Sequence, residues 1–228
     1  DIAGRAAFLR GQEPASATIE GWPAGHARVA VLDGMGGHGH GREAAEAVVE
    51  GLCAMPACTS LDALSAHLDA LHSRLQQRFA DRADPARRPG TTLTLLELPP
   101  GKPALLFHVG DSRLYRVAGG AATPLTVDHV PATVFAMAGL LDEQEWWQQV
   151  HGEHRSQISQ AFILGNAFDD PAVLDDPLVA LSFAAFLLGG GEDLAWLALI
   201  LGMPALVACT AIGVPFHKVT TQASSPLR

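Results

Sequence analysis

Cysteine is scarce in this chain. Three residues of 228, Cys53, Cys58 and Cys209, make an odd number with no C-x-x-C spacing. Neither a disulfide framework nor a zinc site is suggested, and a reducing compartment, the cytoplasm, is the expected location. Basic residues are also few, 15 Lys and Arg against 24 Asp and Glu, for a formal net charge of -9. Binding a nucleic-acid backbone needs clustered positive charge, so nucleic acid is not an expected partner. The first ten residues hold no basic stretch leading into an apolar one, which argues against a secretory signal. The chain does not open on Met and is read as a fragment or a trimmed form. Internal repeats and low-complexity segments are absent. What is present, 48% hydrophobic residues, suffices to bury the core of one large domain or two small ones.

Residues 27–32 (ARVAVL) form a short apolar run ending in a glycine-rich cluster, Asp33 to Gly41, which reads as a buried strand entering a loop. From Arg42 to Leu52 apolar residues recur with helical spacing, and Glu43 and Glu46 lie early, where the helix dipole favours them. A second helix is expected after Ser60, an N-cap, with Leu61, Leu64, Leu68, Leu71 and Leu75 as its core stripe. Residues 81–90 (DRADPARRPG) read as a loop. Beyond them the period changes to two: strands are expected over 91–98 (TTLTLLEL), 104–109 (ALLFHV), 113–117 and 123–126, a meander of antiparallel strands. Further helix is expected around 142–150 and 156–163. A sheet core flanked by helices, rather than alternating βαβ units, follows from this order.

The chemistry concentrates at Val31-Leu32-Asp33-Gly34-Met35-Gly36-Gly37-His38. An acid placed just after a buried strand, followed by glycines that allow close approach of backbone carbonyls, suits a hard divalent cation. The plainer alternative is that Asp33 closes a turn, since Asp-Gly is a common turn dipeptide. His38 stands in a glycine-rich loop close to His40, where a histidine is commonly a solvated or hydrogen-bonding residue.

The run DGMGGH resembles the signature of the bacterial branch of the metal-dependent PPM (type 2C) serine/threonine protein phosphatases, and three more segments follow in that family's order. Gly90-Thr91-Thr92 is similar to its G-T-T, Gly110-Asp111-Ser112-Arg113-Leu114-Tyr115 to its G-D-S-R-x-Y, and Leu125-Thr126-Val127-Asp128-His129 to its L-T-x-D-H. A weaker likeness runs from His154-Arg155-Ser156-Gln157 to Leu164-Gly165, with residues 130–149 as the flap beside the site. The resemblance covers about residues 5–166. It implies an α+β fold, a four-layer αββα sandwich of two antiparallel sheets flanked by helices. It also implies two Mn²⁺ or Mg²⁺ ions, with a third more weakly held, and hydrolysis of phosphoserine or phosphothreonine by a metal-bridging water. On that likeness Asp33 bridges both ions, the Gly34 carbonyl completes one coordination sphere, and His38 is the candidate general acid. Asp111 and Asp128 match positions that hold the third metal or organise water; alternatively Asp111 caps a turn and Asp128 orients His129. Arg113 pairs with a carboxylate or contacts substrate. Near the N-terminus Glu13 stands where the family has an acidic metal ligand, and Arg10, or else Arg5, where it has the arginine that clamps phosphate.

After Asp170 the resemblance ends. The family's S-D-G and D-N aspartates have no counterpart there, and from Leu194 to Phe216 the chain carries no charge. Residues 1–170 are accordingly read as the phosphatase core and 171–228 as a divergent apolar segment that either completes the same domain or is aberrant. That segment is a rearranged gene end, the mark of a pseudophosphatase, or a membrane span; Gly202, Pro204, Gly213 and Pro215 break it up and count against the span. Leu194 to Leu201 has the composition of a buried strand. The expected partners are a phosphorylated protein and a cognate serine/threonine kinase, with no membrane and a monomeric state. The alternative function is a noncatalytic PPM-like binding module, motivated by the missing late aspartates.

Overall fold

The run ARVAVL opens β3 (Ala27–Met35), the strand around which the other elements are arranged. The structure, a computed structural model, describes residues 4–10, 13–35, 40–80, 89–118, 121–151, 158–164, 172–174, 181–182 and 196–201. Strand alternation sends Ala30 and Leu32 toward two helices and Val29 toward a second, smaller apolar cluster on the other face. α1 (His40–Ala54) lies on β3 through Ala44, Ala45, Val48 and Leu52. The Ser60 hydroxyl accepts from the Ala63 N–H (3.3 Å) and starts α2 (Leu61–Ala80). The expected leucine stripe is buried from Leu64 to Leu75 and continues one turn further to Phe79. At about 1.5–3 kcal/mol for each fully buried large side chain, this face is a principal source of stability.

The larger sheet runs β2-β1-β11-β3-β5-β6-β9, with β4 paired to β3 off that path. Its members are β1 (Gly4–Arg10), β2 (Glu13–Ile19), β4 (Gly90–Thr91), β5 (Leu93–Leu98), β6 (Ala104–Val109), β9 (Ala172–Leu174) and β11 (Trp196–Leu201). The second sheet, β10-β7-β8, comprises β10 (Leu181–Ser182), β7 (Tyr115–Ala118) and β8 (Ala121–Pro124). Leu114 and Leu125, which flank β7 and β8, pack on Val29, Leu96 and Leu106. The order is therefore helices, large sheet, small sheet, with α3 (Pro131–Met137) and α4 (Glu143–His151) forming a separate helical pair.

Three expectations are modified. The strand at 91–98 is broken at Thr92, which pairs with the end of β3 instead of continuing the ladder. The meander is split between two sheets, because Gly110, at φ +108°, turns the chain out of the large sheet. Residues 158–164 are not helical; Phe162 exchanges two backbone hydrogen bonds with Thr91, which holds the segment extended. The segment after residue 170 contributes β9, β10 and β11 to the two sheets; β11 falls where Leu194 to Leu201 has the composition of a buried strand, and it lies between β1 and β3. No helix among the described residues is long and apolar enough to cross a membrane.

Away from the strand ends that carry the glycine motifs, Arg28 is fully buried and donates to Leu52 O (2.6 Å), Met55 O (2.9 Å) and Pro56 O (2.8 Å) at the C-terminal end of α1. Its Nε also donates to Glu97 Oε2 (2.6 Å), and Glu97 Oε1 accepts from the Cys58 N–H (2.7 Å). Each charge is thus paired and its hydrogen-bonding capacity used, the condition for burying an ion pair without a large penalty.

Candidate active site

Asp33 sits near the end of β3, and its peptide group is held on both sides by the Gly-Thr-Thr segment. The Asp33 N–H donates to Thr92 Oγ1 (2.9 Å), while Asp33 O accepts from the Thr92 N–H (2.8 Å) and Thr91 Oγ1 (3.0 Å). One residue on, β3 crosses the start of α1 at very short range. A Cβ built on Gly34 would lie 2.1 Å from Gly41 O, and one on Gly41 would lie 2.5 Å from Gly34 O. Neither glycine has positive φ. They are required by the crossing itself, which lets the helix begin directly over the strand's end.

The Gly-Asp-Ser-Arg segment reaches the same place from β6. A Cβ on Gly110 would stand 2.5 Å from Thr92 Cγ2, so that glycine allows the loop to close against Thr92. Ser112 Oγ then hydrogen-bonds Thr92 Oγ1 (2.8 Å). This brings Asp111 close enough to Asp33 for their charges to interact. Burial, and secondarily the negative charge of Asp111, push the Asp33 carboxyl up to about 6 from 3.8. A partly buried acid that also feels a second negative charge favours either a bound proton or a cation.

The Leu-Thr-Val-Asp-His segment closes the other side. The His129 N–H donates to Gly110 O (2.8 Å), and the Gly110 N–H donates to His129 Nδ1 (3.2 Å). Arg113 Nε donates to both Asp128 oxygens (2.8 and 3.1 Å), and Arg113 Nη2 donates to Asp128 Oδ2 and to Val150 O (3.3 Å) in α4. Asp128 is therefore committed to a guanidinium fork in this arrangement, and Arg113 has the carboxylate-pairing role. The Asp128 backbone oxygen accepts from Thr133 Oγ1 (2.7 Å), which accepts in turn from Trp146 Nε1 (3.0 Å). The helical pair is thus fastened to the loops that carry the acids.

The structure brings Asp33, Gly34 and Asp111 together and sets Asp128 beside them in an ion pair. Arg10 and Glu13 face each other across the β1–β2 register, and Arg10 is aligned through Leu197 with Leu32, next to Asp33. At about 4.8 Å per strand, the Arg10 backbone is roughly 10 Å and the Glu13 backbone roughly 14 Å to the side of β3. His38 lies outside the described residues, as do residues 152–157 of the weaker likeness. Thr92 and Ser112 belong to the G-T-T and G-D-S-R motifs, whose pattern alone assigns them no role, and His108 reads from the sequence as a strand residue. Burial, and then the neighbouring His129, push it down to about 3, so it is neutral, with Nε2–H donating to Val127 O (3.2 Å) and Nδ1 accepting from Thr94 Oγ1 (2.9 Å). Period-two alternation with Leu106 would have placed it on the inter-sheet face.

Among the described residues no group of three or more His, Cys, Asp or Glu side chains is arranged to hold a metal ion. The described donor set is two carboxylates and a backbone carbonyl, oxygen ligands of the kind Mn²⁺ and Mg²⁺ prefer, and a cation would offset the burial, and secondarily the Asp111 charge, that raise the Asp33 carboxyl. The residues present fit such an ion as part of its shell. The family profile described as Protein phosphatase 2C matches residues 16–164, the span that holds all four motifs. The chain belongs to the protein phosphatase 2C family. A relative, protein phosphatase PhpP of Streptococcus pneumoniae serotype 2, is 33% identical over 129 residues, covering 54% of this chain and 51% of the relative. This chain therefore spans about half the length of that relative. The Mycobacterium tuberculosis serine/threonine phosphatase PstP/Ppp superposes with a TM-score of 0.54 at 27% identity, over 76% of this chain and 73% of that one. The PstP catalytic domain solved with two manganese ions gives 0.51 at 26% identity, over 75% and 71%. The two-sheet, helix-flanked architecture is thus that of the PPM phosphatases.

Proposed function

We propose that this chain is a metal-dependent protein serine/threonine phosphatase that hydrolyses phosphoserine and phosphothreonine. The observation carrying the reading is the meeting of the family motifs at Asp33, whose backbone Thr91 and Thr92 hold, to which Ser112 is tied through Thr92, and whose carboxyl feels the charge of Asp111. Asp33, the Gly34 carbonyl and Asp111 would hold the divalent ions, Mn²⁺ or Mg²⁺, with Glu13 a further ligand from the N-terminal hairpin. Bound ions supply activation of water and neutralisation of phosphoryl charge. The chain's own residues orient and exclude. Thr91 and Thr92 fix the Asp33 peptide, and the Arg113–Asp128 fork keeps the α3–α4 pair against the loop that carries Asp111. We assign Asp128 to that positioning role rather than to direct ligation, because its oxygens are engaged. Arg10 is the proposed phosphate clamp and His38 the proposed general acid, both on family likeness. The named relatives are phosphatases, which favours the enzyme over a noncatalytic binding module. Residues 1–170 are the proposed catalytic core, with the segment 171–228 completing the same domain through β9 to β11, and a phosphoprotein, opposed by a kinase, the proposed partner.

The test is hydrolysis of a phosphothreonine peptide and of p-nitrophenyl phosphate with Mn²⁺ and with chelator. The expected result is a Mn²⁺-dependent rate that falls to background in Asp33→Ala. A rate indifferent to chelator, or retained in that variant, would reject the reading.

A further inference from the structure

Thr92 is fully buried, and every part of it meets the candidate site. Its hydroxyl accepts from the Asp33 N–H (2.9 Å) and hydrogen-bonds Ser112 Oγ (2.8 Å). Its own N–H donates to Asp33 O (2.8 Å). Its methyl fills the space beside Gly110, where a Cβ would come within 2.5 Å. One side chain therefore touches the residue that carries the first acid and both neighbours of the second, Gly110 and Ser112. It also sits at the break between β4 and β5, where a strand residue would otherwise complete an ordinary ladder.

We propose that Thr92 is a positioning residue that sets the separation of Asp33 and Asp111, and through it the affinity for divalent ions; this rests on the phosphatase reading above. The hydroxyl and the methyl act differently. The hydroxyl locks the Asp33 peptide and links it to Ser112, so its loss leaves a buried N–H and a buried hydroxyl short of a partner. The methyl only fills the gap at Gly110. The role thus belongs to the oxygen, and Thr92→Val, which keeps the shape and removes the oxygen, is the informative change. Thr92→Ser keeps the oxygen and is the rescue. Thr94→Val is the control: the Thr94 hydroxyl is as buried and reaches Ser112 O (3.1 Å) and His108 Nδ1 (2.9 Å), but has no hydrogen bond to Asp33.

Two measurements on the full chain test this: calorimetric titration with Mn²⁺, and amide hydrogen exchange of Asp33 without metal. Thr92→Val is expected to weaken Mn²⁺ binding at least tenfold and to speed Asp33 amide exchange at least tenfold relative to Val31, an order-of-magnitude effect of one lost buried hydrogen bond. Thr92→Ser should stay within about threefold of wild type in both, the size of a small packing loss. Unchanged Asp33 exchange in Thr92→Val would overturn the proposal. So would accelerated exchange with Mn²⁺ affinity kept within twofold, or an equal loss of affinity in Thr94→Val at equal thermal stability. A wild-type chain that binds no Mn²⁺ would sink the phosphatase reading instead, and the exchange contrast would then decide the positioning claim alone.

Discussion

Gly34→Ala isolates the crossing of β3 and α1. The added Cβ would lie 2.1 Å from Gly41 O and 2.4 Å from Gly41 C, where real Cβ contacts stay above 3.0 Å. The shortfall is about 0.9 Å against backbone on both sides, so no rotamer change relieves it and strand or helix must move. Overpacking of this kind costs about 1–3 kcal/mol where side chains can give, and a backbone clash belongs at the top of that range. For a chain of this size about 3 kcal/mol is roughly 6–12 °C in Tm. Gly101→Ala is the comparison: Gly101 has φ +67° and nothing within 4 Å, so it measures the left-handed backbone penalty alone, about 1 kcal/mol. Urea unfolding followed by circular dichroism reads both. Because Gly34 and Gly41 share one contact, Gly34→Ala with Gly41→Ala should destabilise by less than the sum of the single changes. A Gly34→Ala loss no larger than that of Gly101→Ala, or additive single changes, would refute the close crossing.

The remaining predictions concern charge. Asp33 is raised to about 6 in the folded, ion-free chain, so the folded state binds extra proton and ion-free stability should fall as pH climbs from about 4 to about 6, the loss being complete above that. Mn²⁺ competes with that proton, so its apparent affinity should rise roughly tenfold per pH unit up to about 6 and then level; calorimetry across that range checks it, and a profile flat from pH 5 would contradict it. Glu97→Gln leaves the buried Arg28 charge uncompensated and should destabilise by about 3–5 kcal/mol in denaturant titration, whereas Glu46→Gln, which loosens a surface pair with Arg42, should change stability by under about 1 kcal/mol. Arg113→Lys cannot make the fork to Asp128 while reaching Val150 O, and amide exchange in α4 should speed by roughly tenfold with the core unaffected. Unchanged protection in residues 143–151 would show that α4 is held by packing alone.

Much of this arrangement was legible in the residues. The strand into Asp33, the leucine stripe of α2 and the β5–β6 hairpin follow from period, capping and short apolar runs: α2 buries one stripe, and β3, β5 and β6 are buried on both faces. Features set by long-range pairing were not. Thr92 reads as mid-strand by composition, yet it leaves the ladder for Asp33, 59 positions away. Residues 158–164 have helical composition, but Thr91 satisfies the Phe162 backbone and that contact prevails. At the site, motif likeness pointed to Asp33 and Asp111, whose coupling depends on a turn at Gly110. The pairing of Asp128 with Arg113 was only one of two readings, since spacing does not say which acid a guanidinium will choose. His108 gave no sign beyond its alternation.

The seat of β11 between β1 and β3 has a consequence for how the chain is made. Ala6 is joined to Leu201, so the first hairpin cannot enter the sheet until residue 201, 195 positions later, has left the ribosome. At about 5–20 residues per second that is a wait on the order of ten seconds or more. During it, β1 and the edge of β3 both expose unpaired backbone to other nascent chains. The carrier of Arg10 and Glu13 is thus installed only after β11, and dependence on chaperones during synthesis should exceed what the stability of the finished fold suggests.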